Sequence, residues 1–92
     1  EELRPGSSFQ SDEELVQEGS KFTQTIFHPV GTCKMGNDEN SVVNDELKVH
    51  GLQNLRVIDA SIMPNITSGN TNAPTIMIAE KGADMILGSN AN

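Results

Sequence analysis

Few side chains in this sequence are suited to chemistry, and the most suitable ones lie in two segments. His28 begins the segment HPVGTCKMG, and Asn70 lies in the later segment SGNTNAP. An imidazole can take or give a proton near neutral pH, because its unperturbed pKa is about 6.5. An amide cannot act as a base, but it can donate a hydrogen bond to an oxygen that gains negative charge. Taken one at a time, the His28 side chain could thus serve as an acid or a base, and the Asn70 side chain as a hydrogen-bond donor.

Each of these residues also has a purely structural interpretation, which the residues taken alone favour. A single histidine near a Pro-Gly turn is more often a hydrogen-bonded structural residue than a catalyst, and loop asparagines commonly bond nearby backbone groups. His50 stands beside Gly51 at a predicted surface turn. Cys33 is interpreted as a small apolar packing residue. Composition and spacing alone thus predict a soluble α/β fragment and leave its chemistry open.

The composition disfavours several classes of function. The chain has 92 residues and a net charge of −7, which disfavours nucleic acid and anionic lipid, because Lys and Arg must supply the counter-charge there. Two histidines and one cysteine without clustered spacing predict no metal site. No nucleophile elbow, phosphate loop or glycine-rich dinucleotide fingerprint is present. No apolar run approaches the roughly 18 residues of a membrane span, and no signal peptide is visible.

Two helices are predicted to flank these segments. The residues Ser11-Asp12-Glu13-Glu14 form a capping box, which predicts a helix from about Asp12 to Thr23. A second helix is predicted over Pro74–Leu87, because proline suits the first helical position and Gly88 suits the residue that follows the last turn. The predicted apolar contacts are Leu15, Val16 and Phe22 in the first helix, and Ile76, Ala79, Ala83 and Ile86 in the second.

Extended structure is predicted between the two helices. Leu55–Ile58 reads as a strand, because it is rich in β-prone residues and is bounded by turn formers. A small hairpin is predicted around Asn44-Asp45-Glu46, with Val42-Val43 and Leu47–Val49 as its arms. A long loop, from Ile62 to Ala73, then leads to the second helix and carries Asn70.

Three segments resemble, in their order and in their sequences, the C-terminal signatures of the glucose–methanol–choline (GMC) oxidoreductases. The segments are HPVGTCKMG, VHGLQNLRVIDASIMP and SGNTNAPTIMIAEKGADMI, and the similarity spans about residues 11–88. Within that family, the sequences of these segments are most similar to those of choline-dehydrogenase-like alcohol dehydrogenases. The resemblance implies an α/β fold, here an α+β fragment. It assigns residues 1–50, with the HPVGTC loop, to the substrate-binding domain, and residues 51–92 to a strand, loop and helix that complete the FAD-binding domain.

The resemblance also implies site residues. His28 corresponds to the family's acid/base histidine, and Asn70 to the neighbouring His or Asn. The implied reaction removes the hydroxyl proton of an alcohol, choline-like or another primary alcohol, and passes the carbinol hydride to N5 of the flavin. The implied flavin contacts are Asp59, Ala60, Asn72, Pro74 and Thr75, with the backbone of Asp59 and Ala60 near the cofactor's ribityl–diphosphate part. The implied cofactor is FAD, with no metal.

The family's N-terminal half, which cradles the ADP part of FAD, has no counterpart in these residues. We therefore expect that missing half as a partner of this segment, which alone should neither hold FAD tightly nor turn over. Two alternatives stay open. One is a flavoprotein of the same fold with lyase or decarboxylase chemistry, and the other is a non-catalytic remnant or interaction module. Retention of both His28 and Asn70 favours alcohol oxidation.

Overall fold

A computed structural model describes residues 1–88. It contains helix α1 (Asp12–Ser20), a 3₁₀ helix (Ala60–Ile62) and helix α2 (Asn72–Leu87). Between them, the chain forms turns and extended segments joined by isolated β-bridges. Met35 pairs with Val43, Val43 with Val49, and Lys48 with Arg56. None of the helices within residues 1–88 has the length and apolar character needed to cross a bilayer.

The capping box at the start of α1 is confirmed. The Glu14 amide donates to Ser11 Oγ at 3.3 Å, and the Ser11 amide donates to Glu14 Oε2 at 3.2 Å. The helix ends at Ser20, earlier than predicted, because Gly19-Ser20 weakens its last turn. The amides of Phe22 and Thr23 instead converge on the Gly19 carbonyl.

The predicted apolar contacts of α1 are wrong for residues 1–88. None of its residues is buried, and Val16 is 73% exposed. The helix makes no contact with the 3₁₀ helix or α2. Its nearest aromatic interaction is local, with the Arg4 guanidinium 5.0 Å from the ring centre of Phe22. As a result α1 lies apart from the core of an elongated chain that measures 61 × 28 × 17 Å.

The predicted turn at Asn44-Asp45-Glu46 is confirmed. The Leu47 amide donates to the Asn44 carbonyl at 2.9 Å, and the Asn44 amide donates to the Lys48 carbonyl at 3.0 Å. Asn44 Oδ1 accepts from the amides of Glu46 and Lys48, which closes the turn. The turn brings the buried side chain of Leu47 beside Val43, and both belong to the core. The core comprises Val43, Leu47, Ile62, Met63 and Ile78.

Helix α2 begins at Asn72, two residues before the predicted start at Pro74. Proline is compatible with this third position because the first amides of a helix have no intrahelical acceptor. The predicted end is confirmed, since Gly88 has the left-handed conformation of a C-terminal cap, with φ 64° and ψ 24°.

The predicted buried face of α2 is wrong for residues 1–88. Ile76, Ala79, Ala83 and Ile86 are exposed, Ile86 by 60%. The packed face carries Ile78, Gly82 and Met85. Gly82 explains the difference, because a Cβ there would lie 2.5 Å from Ile58 Cγ2. Because Gly82 has no side chain, Ile58 can pack directly against the backbone of the helix. A prediction from the spacing of apolar residues alone does not include such a contact.

The segment predicted as a strand, Leu55–Ile58, is paired at one position within residues 1–88. The Val49 amide donates to the Leu55 carbonyl at 3.0 Å, and the Val57 amide donates to the Leu47 carbonyl at 3.1 Å. These bonds form the single bridge between Lys48 and Arg56. The Arg56 amide and carbonyl point to the opposite edge, where residues 1–88 provide no partner.

Candidate active site

The HPVGTCKMG loop is attached to the C-terminal end of the 3₁₀ helix. The Cys33 amide donates to the Ser61 carbonyl at 2.9 Å, and the Met35 amide donates to the Ile62 carbonyl at 2.8 Å. The last carbonyls of a helix lack intrahelical donors, so they are available to this loop. Gly31, at φ 88°, packs so closely that a Cβ there would lie 3.3 Å from the Met63 carbonyl oxygen. The loop therefore lies alongside residues 61–63 and is hydrogen-bonded to them.

The Asp59 carboxylate caps the N-terminus of the 3₁₀ helix. Asp59 Oδ1 accepts from the Ser61 amide at 2.7 Å and also from the Ser61 hydroxyl. The Ser61 hydroxyl, and then its amide, hold the pKa of Asp59 below its usual value, because both bonds favour the ionised carboxylate. The side chain of Asp59 is thus engaged with its own turn, and Ala60 is the first residue of that turn.

His28 lies half-buried at the start of the loop. Its Nδ1 is buried and has no hydrogen-bond partner within residues 1–88. A buried polar atom without a partner costs about 1–3 kcal/mol. The preceding residue, Phe27, has a φ of 64°, which is rare for a bulky side chain, and it is 79% exposed. Strained backbone and unsatisfied polar groups are typical of functional sites.

Asn70 lies exposed in the loop that precedes α2. Its side chain makes no hydrogen bond within residues 1–88, and no hydrogen bond joins it to His28. The pairing of His28 with Asn70 therefore stays a prediction.

The remaining predicted residues lie in the first turn of α2. Asn72 is its exposed first residue, while Pro74 and Thr75 are half-buried. The Thr75 hydroxyl donates to the Thr71 carbonyl at 2.6 Å. Thr71 provides no side-chain cap, and the amides of Asn72 and Ala73 donate to no atom of residues 1–88. The first turn of α2 thus presents unpaired donors at the positive end of the helix dipole.

His50 has the structural role that the sequence favours. Its Nε2 lies 2.9 Å from the Gly36 carbonyl oxygen, and its amide donates to the Val42 carbonyl at 3.0 Å. It therefore joins the far end of the HPVGTCKMG loop to the turn region. Cys33 is half-buried with a free thiol. Within the described part of the chain, no group of three or more His, Cys, Asp and Glu side chains could hold a metal ion.

The residues that hold the site together are not among those predicted from the sequence. These are Ser61 and Ile62, whose carbonyls hold the loop, and Gly31, which packs on Met63. One local signal exists for the turn at Ser61, since an aspartate side chain commonly accepts a hydrogen bond from the backbone amide two residues further on. The contacts between Cys33, Met35 and the 3₁₀ helix have no local signal.

Comparison with known proteins shows the family. The GMC oxidoreductase family matches residues 1–79, and the chain belongs to it. The chain is 59% identical over 90 residues to an oxygen-dependent choline dehydrogenase of Escherichia coli O157:H7, which covers 98% of the chain and 16% of that protein. It is 57% identical over 86 residues to an alcohol dehydrogenase [acceptor] of Pseudomonas putida, which covers 94% of the chain and 16% of that protein.

A solved structure agrees with these relatives. The crystal structure of pyridoxine 4-oxidase from Mesorbium loti superimposes with a TM-score of 0.85 at 40% identity, over 96% of this chain and 17% of that one. The chain therefore spans about one sixth of the length of its relatives.

Proposed function

We propose that this chain is the C-terminal part of an FAD-dependent oxidoreductase that oxidises the CH–OH group of an alcohol, choline-like or another primary alcohol. Support comes from family membership and from relatives named as choline and alcohol dehydrogenases. The observation that carries the proposal is the attachment of the His28 loop to the segment that follows Asp59. The contact brings the loop that carries the proposed base, His28, beside the segment proposed to contact the cofactor at Asp59 and Ala60. Alcohol oxidation requires the base and the cofactor to lie close together.

One feature of the described residues suits a flavin. The unpaired amides of Asn72 and Ala73 at the start of α2 suit an anionic group, because exposed N–H groups and the helix dipole both favour negative charge. The backbone of Asp59 and Ala60, together with Asn72, Pro74 and Thr75, would hold the cofactor. When bound, FAD supplies the acceptor of the carbinol hydride at its N5 atom.

In this proposal the chain's own residues handle the hydroxyl group. The His28 imidazole takes the hydroxyl proton as the carbinol C–H bond breaks, so the alcohol loses a proton and a hydride and becomes a carbonyl compound. The Asn70 amide donates a hydrogen bond to the alkoxide oxygen and orients it. Asn70 cannot accept the proton, so His28 is the single base of the pair. Such a base contributes roughly 10²–10⁴-fold in rate.

The rest of the protein completes the site. We propose that residues 1–50 belong to a substrate-binding domain and residues 51–92 to the FAD-binding domain. The unpaired edge at Arg56 supports a strand there, because an added strand from the preceding chain would satisfy its amide and carbonyl. The exposed face of α2 at Ile76 and Ile86 supports burial against the same domain.

The test uses the full-length parent and compares its two C-terminal histidines. Choline and a panel of primary alcohols are added anaerobically, and flavin reduction is followed by visible absorption. His28→Ala should slow reduction about 100-fold or more with FAD still bound. The matched control, His50→Ala, removes a histidine that bonds only backbone and should stay within a few-fold of the parent.

Three results would contradict the proposal in different ways. A near-normal rate in His28→Ala would remove the assigned base. A bound flavin that no alcohol bleaches would favour lyase or decarboxylase chemistry on the same fold. A parent without flavin would leave a non-catalytic remnant.

A further inference from the structure

We propose that the Asp59 carboxylate is a positioning group for His28. It stabilises the 3₁₀ helix whose end anchors the HPVGTC loop. The inference rests on the proposed function, because the position of His28 affects the rate only if His28 is the base. It gives the side chain of Asp59 a role that differs from contact with the cofactor.

The first step is the effect of Asp59 on the 3₁₀ helix. Asp59 has extended backbone at φ −158°, and its Oδ1 accepts both the amide and the hydroxyl of Ser61. Its own carbonyl accepts from Ile62 at 3.2 Å. A helix of three residues has few internal bonds, so an N-cap supplies a large share of what keeps it formed. Loss of the carboxylate should therefore loosen Ala60–Ile62.

The second step is the effect of the 3₁₀ helix on the loop. Its carbonyls at Ser61 and Ile62 accept from Cys33 and Met35, and these are the loop's two backbone bonds to that helix. Closer to His28, Gly31 lies against the Met63 carbonyl. Because Gly31 is only three residues from His28 and Pro29 stiffens the intervening chain, a shift of residues 60–63 reaches the imidazole.

The alternative is that the carboxylate acts on the cofactor directly through its charge. The two ideas predict different behaviour for Asp59→Asn. Asparagine keeps an oxygen that accepts from Ser61 and is as good an N-cap as aspartate, but it carries no charge. A positioning role survives this change, whereas a charge-dependent role does not.

The experiment measures anaerobic flavin reduction at saturating alcohol in full-length holoenzyme matched for FAD content. The series is Asp59→Asn, Asp59→Ser, Asp59→Gly and Asp59→Ala. We expect limiting rates that follow N-cap strength, with Asn and Ser near the parent and Ala about tenfold slower. Substrate affinity should change little, because the substitutions at Asp59 displace the proposed base, His28, and so slow the chemical step instead of weakening substrate binding. The matched control, Ser11→Ala, removes the N-cap of the distant helix α1 and should leave the rate unchanged.

A double-mutant cycle with His28→Ala identifies the residue through which Asp59 acts. If Asp59 acts through His28, Asp59→Ala adds no further loss in the His28→Ala background. Additive losses, a normal rate in Asp59→Ala, or an Asp59→Asn variant as slow as Asp59→Ala would each overturn the inference while the proposed function stands. A normal rate in His28→Ala alone would instead overturn the proposed function, and the inference with it. If Asp59→Ala does not retain FAD, the limiting rates of the Asn, Ser and Gly variants decide between the positioning role and the charge-dependent role.

Discussion

His28 lies where a strained backbone and an unsatisfied polar atom meet. Phe27 has a left-handed φ with its ring exposed, and His28 Nδ1 is buried without a partner in residues 1–88. Each feature costs of the order of 1–3 kcal/mol, and both persist only where surrounding structure compensates for them. Residues 1–88 provide little compensation here. If the chain is part of a longer oxidoreductase, as proposed, the rest of that protein is the expected source of the contacts that His28 lacks.

The role of Asn70 gives a prediction at this scale. Asn70→Asp in the full-length protein replaces a hydrogen-bond donor by a carboxylate, so it should slow flavin reduction about 100-fold or more. Asn70→His keeps a side chain that can donate a hydrogen bond, and it should stay within about tenfold of the parent. Stopped-flow reduction measures both rates. Equal rates for Asn70→Asp and the parent would exclude the donor role.

The cap at Asp59 gives a prediction about pH. Because hydrogen bonds from Ser61 lower the pKa of Asp59 in the folded chain, the cap stabilises fully above the usual aspartate pKa. That stabilisation is lost only as the pH falls through the lowered value. Ser61→Ala removes the hydroxyl donor and should move the pKa of Asp59 back towards its usual value. A carbon-13 NMR titration of the carboxyl group measures this shift, and identical midpoints in both proteins would contradict it.

At the scale of elements, the packing of helix α2 depends on a glycine, Gly82. Gly82 and Ile58 interlock where any Cβ would overlap Ile58 Cγ2 and Cδ1. The contact holds α2 against the extended segment that ends just before Asp59. The same contact leaves Ile76 and Ile86 exposed on the outer face of the helix.

Gly82→Ala tests this packing. The added methyl overfills the contact, so we expect a loss of about 1–3 kcal/mol in the free energy of unfolding of the full-length protein, measured as a lower urea midpoint. Gly19→Ala is the matched control, because it also adds a methyl to a helical glycine but meets no atom within 4 Å. It should leave the midpoint unchanged or raise it slightly. A Gly82→Ala midpoint equal to that of the control would refute the packing argument.

At the scale of the whole molecule, the chain is too extended for a self-sufficient domain. Its radius of gyration is 19.8 Å, whereas a compact domain of this length has about 12 Å. Its accessible surface is 7322 Å², against roughly 5,200 Å² for a compact protein of this mass. The excess surface agrees with a segment that spans about one sixth of its relatives.

The isolated segment is therefore expected to unfold without a sharp transition. Its few buried side chains stabilise too little to offset the ordering of the backbone. Small-angle scattering should give a radius well above the compact value, and co-expression with the preceding part of the parent as a second polypeptide should restore a cooperative urea transition. A sharp transition with a radius near 12 Å for the segment alone would contradict this expectation.

The sequence by itself determined the features that depend on near neighbours. The capping box at Ser11, the turn at Asn44 and the glycine cap at Gly88 each involve residues within a few positions of one another, so a short window contains all the interacting groups. The family signatures around His28 and Asn70 could likewise be read as continuous segments. These parts required no knowledge of packing.

Only the tertiary structure decided which distant segments meet and which faces they use. The bonds from Cys33 and Met35 to the 3₁₀ helix join residues nearly thirty positions apart, and no local propensity encodes them. The packed face of α2 depends on Ile58 entering the space at Gly82. Such contacts depend on shape and on the pairing of buried backbone groups across the fold, which are set when the chain packs rather than by the order of its residues over a short window.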